Sequence, residues 1–464
     1  MDTLTPRGRT VVLLTCCLSV VVAGLDTTIA NVALPSIRQS LNAPVSGLQW
    51  VVDAYVLVIA CLLLLAGSVA DRFGRRRVFQ AGLGVFSLGS LLCGLAPSLG
   101  ALVAFRALQA VGGAMLNPVA MSIIATTFTE PEERARAVGT WGAVAGLGGA
   151  CGPVLGGLLV SGLGWRSIFW VNVPIGLLAI ALTRRFVPES RAARGKRFDP
   201  LGQLLIVTFL GPVTAAVIEG PRHGWTSPLI VGLFVLAAGS AAGLVVTESR
   251  RAEPLVDVRV FRSPAFSGAA LIALAALTAV GGFLFLNTLY LQETRGYSAL
   301  HAGLLTIPMA AAGAVCAVVS GRVVAARGAR LPLVLAGLLL AVGAGLLAGA
   351  GPGTAVGYLV LAYLLFGAGF GLVGTPMTTA ALAGLPRDQA GVAGAIASTC
   401  RQTGGAIGVA VCGSLVASGA GAATAWAVLA GCGVATVLLG VASTGRRARA
   451  EYSDRHPQVM DVAE

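Results

Sequence analysis

Hydrophobic and polar positions along the chain fall into long apolar runs separated by short charged stretches. Runs centre on 11–34, 50–70, 78–97, 100–127, 137–162 and 167–187. After a charged stretch come 201–219 and 228–247. A second charged stretch precedes 265–289, 300–321, 331–350, 355–380, 390–416 and 422–443. A transmembrane helix needs about 20 apolar residues, so each of these fourteen runs predicts one span. Fourteen such spans use roughly 280 residues. What remains suits short loops and tails and leaves no room for a large soluble domain.

Composition supports this reading. Hydrophobic residues make up 56% of the 464 residues and charged residues 11%, with a mean hydropathy of +0.86. A soluble domain carries about 25% charged residues, so this chain has too few to cover a water-facing surface. The first run follows Arg7 and Arg9. It is too long for a signal-peptide core and predicts a retained helix.

The net charge of +13 invites a nucleic-acid partner, but the basic residues sit in scattered clusters rather than on one face. Topology explains them better. With the N-terminus in the cytoplasm, 26 of the 32 basic residues fall inside. Arg38, Arg166, Arg222 and Arg295 fall outside, and Arg106 and Arg401 lie within spans. That asymmetry follows the positive-inside rule and predicts an even number of spans with both termini cytoplasmic. Only one basic residue, Lys196, is lysine. With the Ala and Gly richness this points to a GC-rich bacterial genome and hence to a bacterial cytoplasmic membrane.

No catalytic or metal centre is legible. The nine cysteines all lie in apolar runs without ligand spacing, and His223, His301 and His456 are far apart. The cysteines read as small packing residues. No Gly-x-x-x-x-Gly-Lys-[Ser/Thr] phosphate loop occurs, so ATP is excluded as the driving force. An ion gradient remains, with no cofactor and no enzymatic activity expected.

The chain also echoes itself. Gly67-Ser-Val-Ala-Asp-Arg-Phe-Gly-Arg-Arg76 follows the second run, and Gly321-Arg-Val-Val-Ala-Ala-Arg-Gly-Ala-Arg330 follows the tenth, 254 residues later. Pro118 and Pro376 repeat at an offset of 258. Duplicated halves around a midplane site are a transporter signature. The expected division is a six-helix bundle at 1–199, two inserted helices at 200–250, a second six-helix bundle at 251–445 and a tail at 446–464.

Several segments carry a family resemblance. Gly67, Asp71, Arg72, Gly74, Arg75 and Arg76 resemble the loop signature of the major facilitator superfamily. Leu25-Asp-Thr-Thr-Ile-Ala-Asn31-Val-Ala-Leu-Pro35 resembles the first helix of its fourteen-span drug:proton antiporters, the EmrB/QacA type. Trp165 to Gly176 resembles their sixth-helix start, and Arg401-Gln402-x-Gly404-Gly405 their thirteenth helix. Gly152, Pro153, Gly156 and Gly157 resemble the fifth-helix motif of exporters, and Arg106-x-x-Gln109-x-x-Gly112-Gly113 the fourth-helix motif linked to proton coupling. The resemblance implies an all-α major facilitator fold and alternating access. In the family the Gly67–Arg76 loop latches the two halves, and the fifth-helix bend favours export. The second loop copy has Ala325 where the first has Asp71, so the latch is expected to be asymmetric. Gly67 is expected to permit close helix approach and Gly74 a tight turn.

Charges within the bilayer cost several kcal/mol unless paired or hydrated. Asp26 and Arg106 lie roughly 12 and 9 Å from the outer ends of their helices at 1.5 Å per residue, so the two are expected to meet. A carboxyl group there responds to its solvation and to a nearby arginine. Asp26 is the expected principal proton-coupling group, modulated by Arg106, with Asp53 next in line. Cavity candidates are Asp26, Asn31, Tyr55, Gln109, Asn117, Glu219, Arg401 and Gln402; Glu293 is a weaker one. Asp53, Glu219 and Glu293 all fall near the outer face, and Arg401 near mid-bilayer without an evident partner. An apolar cavity holding one or two acids suits cationic or zwitterionic drug-like cargo. The expected function is proton-driven export of such compounds by a monomer in the lipid bilayer. The other reading is export of a metabolite or antibiotic that the host makes.

Overall fold

The computed structural model describes residues 5–191, 199–251, 258–382 and 390–444. The basic residues Arg194, Lys196, Arg197 and Arg387 and the expected tail 446–464 lie outside them. In chain order the helices are α1 (Pro6–Leu41), α2 (Val45–Phe73), α3 (Arg75–Gly94), α4 (Leu99–Thr127) and α5 (Pro131–Leu163). The sixth span is broken into α6 (Ser167–Trp170) and α7 (Asn172–Phe186). Then come α8 (Pro200–His223), α9 (Pro228–Arg250) and α10 (Pro264–Leu289), the last extended by a π-helical turn at Tyr290–Thr294. The rest are α11 (Ala299–Leu305), α12 (Ile307–Arg327), α13 (Arg330–Ala348), α14 (Val356–Leu382), α15 (Ala390–Ala417) and α16 (Ala422–Ser443). No strand occurs among the described residues.

All fourteen expected segments are helical. Thirteen are long and apolar enough to cross a membrane. The other is α15, whose 28 residues include Arg401 and Gln402. Local chemistry sets the helix starts. Thr5 caps α1 by accepting the Gly8 N–H at 3.2 Å, and Pro6 follows at the first helical position. Asp199 does the same for α8, accepting from Gly202 at 2.8 Å ahead of Pro200.

The chain groups into two compact units. Unit 1 is Met1–Ala237 with Leu284–Ile307; unit 2 is Ala238–Phe283 with Pro308–Glu464. This is a grouping by packing, whereas the expected boundaries at 199 and 250 describe duplication. In unit 1, α1 lies against α5. A Cβ on Gly148 would meet Val21, one on Gly152 would fall on Thr28 Oγ1, and one on Gly156 would meet Ile29. The exporter-like motif is thus a seam on which two helix backbones approach closely. Thr28 Oγ1 also donates to Gly149 O at 3.1 Å. Helix α8 docks on α2 through Gln203 Nε2 to Cys61 O at 2.8 Å and Trp50 Nε1 to Glu219 Oε1 at 2.9 Å.

Unit 2 is held by a different core. Phe283 stacks on Phe366 at 4.4 Å and meets Tyr363 and Trp426 edge-on, each at 5.7 Å. Helix α15 rests on α10, with Gly404 against Leu274 and Gly408 against Thr278. The internal echo has a backbone counterpart in each unit. Gly74 has φ +106° and Gly328 has φ +77°, and these two turns are 254 residues apart. Pro118 lies inside α4 and Pro376 inside α14. All nine cysteines are free; Cys151 is exposed rather than packed.

Candidate functional site

Five side chains from four helices converge in the interior of unit 1. Asp26 comes from α1, Ser90 from α3, Arg106 and Gln109 from α4, and Asn172 from α7. Asp26, Ser90, Gln109 and Asn172 are fully buried, and Arg106 is 1% exposed. Arg106 Nη1 lies 2.6 Å from Asp26 Oδ2. The other carboxylate oxygen accepts from Gln109 Nε2 and from Asn172 Nδ2, both at 2.8 Å. Gln109 Nε2 also donates to Ser90 Oγ at 2.6 Å, and Gln109 Oε1 accepts from Arg106 Nη1 at 2.7 Å. Arg106 Nε donates to Val51 O at 3.0 Å. The guanidinium lies over the Tyr55 ring at 4.2 Å and the Phe169 ring at 5.6 Å.

The sequence builds this cluster from helix periodicity. Arg106 and Gln109 are three residues apart and so share one face of α4. One turn on, Gly112 abuts Gly82 and Phe86 of α3, which brings Ser90 within reach. Breaking a buried ion pair by removing one partner costs about 3–5 kcal/mol. The cluster is therefore a fixed structural element as well as a store of charge. Asp26 and Gln109, expected to line a cavity, instead lie wholly inside it.

Asp53 is the contrasting acid. It sits on α2, fully buried, and neither carboxyl oxygen has a hydrogen-bond partner among the described residues. The same stretch of α2 supplies Val51 O and the Tyr55 ring to Arg106. Asp53 lies two residues from each of these, so its side chain leaves α2 on a different face from the one that meets Arg106.

The other candidates are dispersed. Asn31 borders a narrow cleft of about 20 Å³ with Thr28, Asn287, Thr288, Gln292 and Thr306. Its Oδ1 is unpartnered among the described residues, as is that of half-buried Asn117. Glu219 accepts from Trp50 and lies 3.7 Å from His223 Nε2. Glu293 is 2.7 Å from Arg38, beside a cavity of about 620 Å³ that also borders Gln292 and Tyr297. Arg401 and Gln402 lie in unit 2, the first exposed and the second partly so.

At the end of the bundle where α2 stops, the loop signature forms a compact turn. Asp71 Oδ1 pairs with Arg75 at 2.9 Å. Gly74 adopts a conformation that favours glycine. Glu189 Oε1 accepts the Arg76 N–H at 3.1 Å, and Glu189 Oε2 lies 3.9 Å from Arg76 and 3.7 Å from Arg77. Arg72 packs over Phe73. Gly67 departs from expectation, because a Cβ there would meet nothing within 4 Å. No neighbour among the described residues of unit 1 approaches it that closely.

Residues 16–409 match the family described as the Major Facilitator Superfamily. The chain belongs to the major facilitator superfamily. This facilitator is 40% identical over 394 residues to the multidrug resistance protein Stp of Mycobacterium tuberculosis, covering 85% of this chain and 73% of that one. It is 36% identical over 418 residues to the tetracenomycin C resistance and export protein of Streptomyces glaucescens, covering 89% and 77%. Its fold is similar to that of the POT family transporter PepTSo, with a TM-score of 0.71 at 14% identity, covering 97% of this chain and 99% of that one.

Three residues of the facilitator's site escaped sequence reasoning. Asn172 stood within the sixth-helix resemblance but carried no assigned role. Ser90 is one small residue in an apolar run. Glu189, in Pro188-Glu-Ser-Arg191, lies in a charged stretch and was assigned no role. Its signal was its place directly after a span, on the same side as the Gly74 turn.

Proposed function

We propose that this chain is a fourteen-span drug:proton antiporter. It exports amphipathic drug-like compounds across the bacterial cytoplasmic membrane by alternating access, as a monomer with both termini cytoplasmic. It uses the proton gradient, needs no cofactor and performs no enzymatic chemistry. The observation that carries this reading is the pairing of two unlike acids in unit 1. Asp26 is held by three donors, whereas Asp53 is buried with none among the described residues.

A buried carboxyl without a donor costs least as the neutral acid. In this conformation Asp53 is the group suited to hold a transported proton. Asp26 is held by Arg106, Gln109 and Asn172. When α2 meets water on the side of low proton concentration, Asp53 loses its proton, and hydration of the new charge moves α2 relative to Arg106, which holds it at Val51 and Tyr55. The Val51 and Tyr55 contacts then change together, because both lie on the turn that carries Asp53. Cargo and proton exchange are coupled through that movement of α2. The Asp71–Arg75 pair and Glu189, at the end of α2 and start of α3, govern the switch between facing states rather than the choice of cargo.

Support for the cargo class comes from the relatives' names, one a multidrug resistance protein and one a resistance and export protein. The second name also favours the alternative of a dedicated exporter for one compound made by the host. Dye and antibiotic uptake into inside-out vesicles, with and without an uncoupler, tests the reading. Uptake of several unrelated compounds that collapses with the gradient supports it. Gradient-independent uptake refutes proton coupling, and uptake of a single compound favours the dedicated exporter.

A further inference from the structure

Arg401 is a charge that the fold does not use. It lies 11 residues into α15, about 16 Å from the helix start at 1.5 Å per residue. Its side chain is exposed, and no hydrogen bond or ion pair reaches it among the described residues. Ser398, Arg401 and Gln402 share one face of α15 by helical spacing, and all three are at least partly exposed. A face carrying an arginine, a glutamine and a serine at this depth is turned toward water rather than lipid. Among the described residues of unit 2 the sole carboxylate is Glu248, in the last turn of α9 and 2% exposed. The spans of unit 2 therefore bring no acid to mid-membrane depth. In unit 1 the charge of Asp26 is already matched by Arg106.

We propose that Arg401 is the recognition point for a carboxylate on amphipathic cargo. The guanidinium fork matches a carboxylate through two parallel hydrogen bonds, and Gln402 adds an amide on the same face. The preferred cargo is then an aromatic or polycyclic carboxylate or a zwitterion, not a simple cation. This assignment rests on the exporter reading above and specifies its substrate class.

The test uses full-length protein in nanodiscs and three pyrene probes, pyrenebutyrate, its uncharged amide and a pyrenyl trimethylammonium, with empty nanodiscs as background. The parent is expected to bind pyrenebutyrate at least tenfold more tightly than the amide. Arg401→Gln should bring pyrenebutyrate down to the amide's affinity and leave the amide unchanged, which also reports that the variant is folded. Arg401→Lys should retain part of the preference. The assignment is overturned if the parent does not bind pyrenebutyrate or binds it no better than the amide, or if Arg401→Gln weakens all three probes alike. Proteoliposomes separate the two claims. An intact carboxylate preference without uphill transport keeps the role of Arg401 and removes the exporter reading.

Discussion

Helix α4 in unit 1 and helix α15 in unit 2 each carry one arginine at membrane depth, and the two are held in opposite ways. Arg106 is 1% exposed, bonded to Asp26, Gln109 and Val51 and flanked by two aromatic rings. Arg401 is exposed and has no such partner among the described residues. The surroundings differ in the same sense. Unit 1 has a buried polar cluster at its centre, whereas unit 2 centres on Phe283, Tyr363, Phe366 and Trp426. Residue type therefore does not settle what an intramembrane arginine does. A partnered arginine belongs to the fold and to its switching. An unpartnered one is available to something that arrives and leaves.

The largest effect should come from breaking the paired side. Arg106→Leu leaves Asp26 buried without its cation, at a cost of about 3–5 kcal/mol. Melting of detergent-purified protein should fall sharply or folded protein should be lost. The double variant Asp26→Asn/Arg106→Gln should recover part of that stability. If the single variant melts like the parent, the pair contributes nothing to the fold.

A smaller loss is expected at the α1–α5 seam. Gly152→Val would press on Thr28, and such overpacking costs about 1–3 kcal/mol. Gly67→Ala, where a Cβ meets no neighbour among the described residues of unit 1, should stay within about 0.5 kcal/mol of the parent. Equal melting shifts for the two would remove the distinction drawn between these glycines. Smaller than the loss at Gly152 is that expected for Glu189→Gln. Its ion pairs with Arg76 and Arg77 are partly exposed, so the stability change should stay below about 1 kcal/mol. Vesicle uptake should slow while the order of preferred compounds is unchanged; an altered order at normal speed would contradict a switching role.

The spans were legible because a bilayer demands long apolar runs, and α15 shows the limit of that rule, since Arg401 and Gln402 interrupt its apolar run. The meeting of Asp26 with Arg106 was legible from their matched depths. Asn172 and Ser90 were not, because hydrogen bonds between distant helices leave no spacing in the sequence. The contrast between Asp26 and Asp53 was also hidden. Asp26 read as an acid well inside a span and Asp53 as one near the outer face, and only packing reveals that the first has three donors and the second none among the described residues. Gly67 misled because a loop signature resembles a packing motif whether or not a neighbour is present.

The central claim is that Asp53 carries the exchanged proton while Asp26 holds Arg106. Uphill uptake by reconstituted protein under an imposed pH gradient tests it most directly, comparing the parent with Asp53→Asn. The parent should concentrate cargo. Asp53→Asn should fold and melt like the parent and exchange cargo down its own gradient, yet fail to concentrate it. An Asp53→Asn protein that concentrates cargo as the parent does would contradict the account.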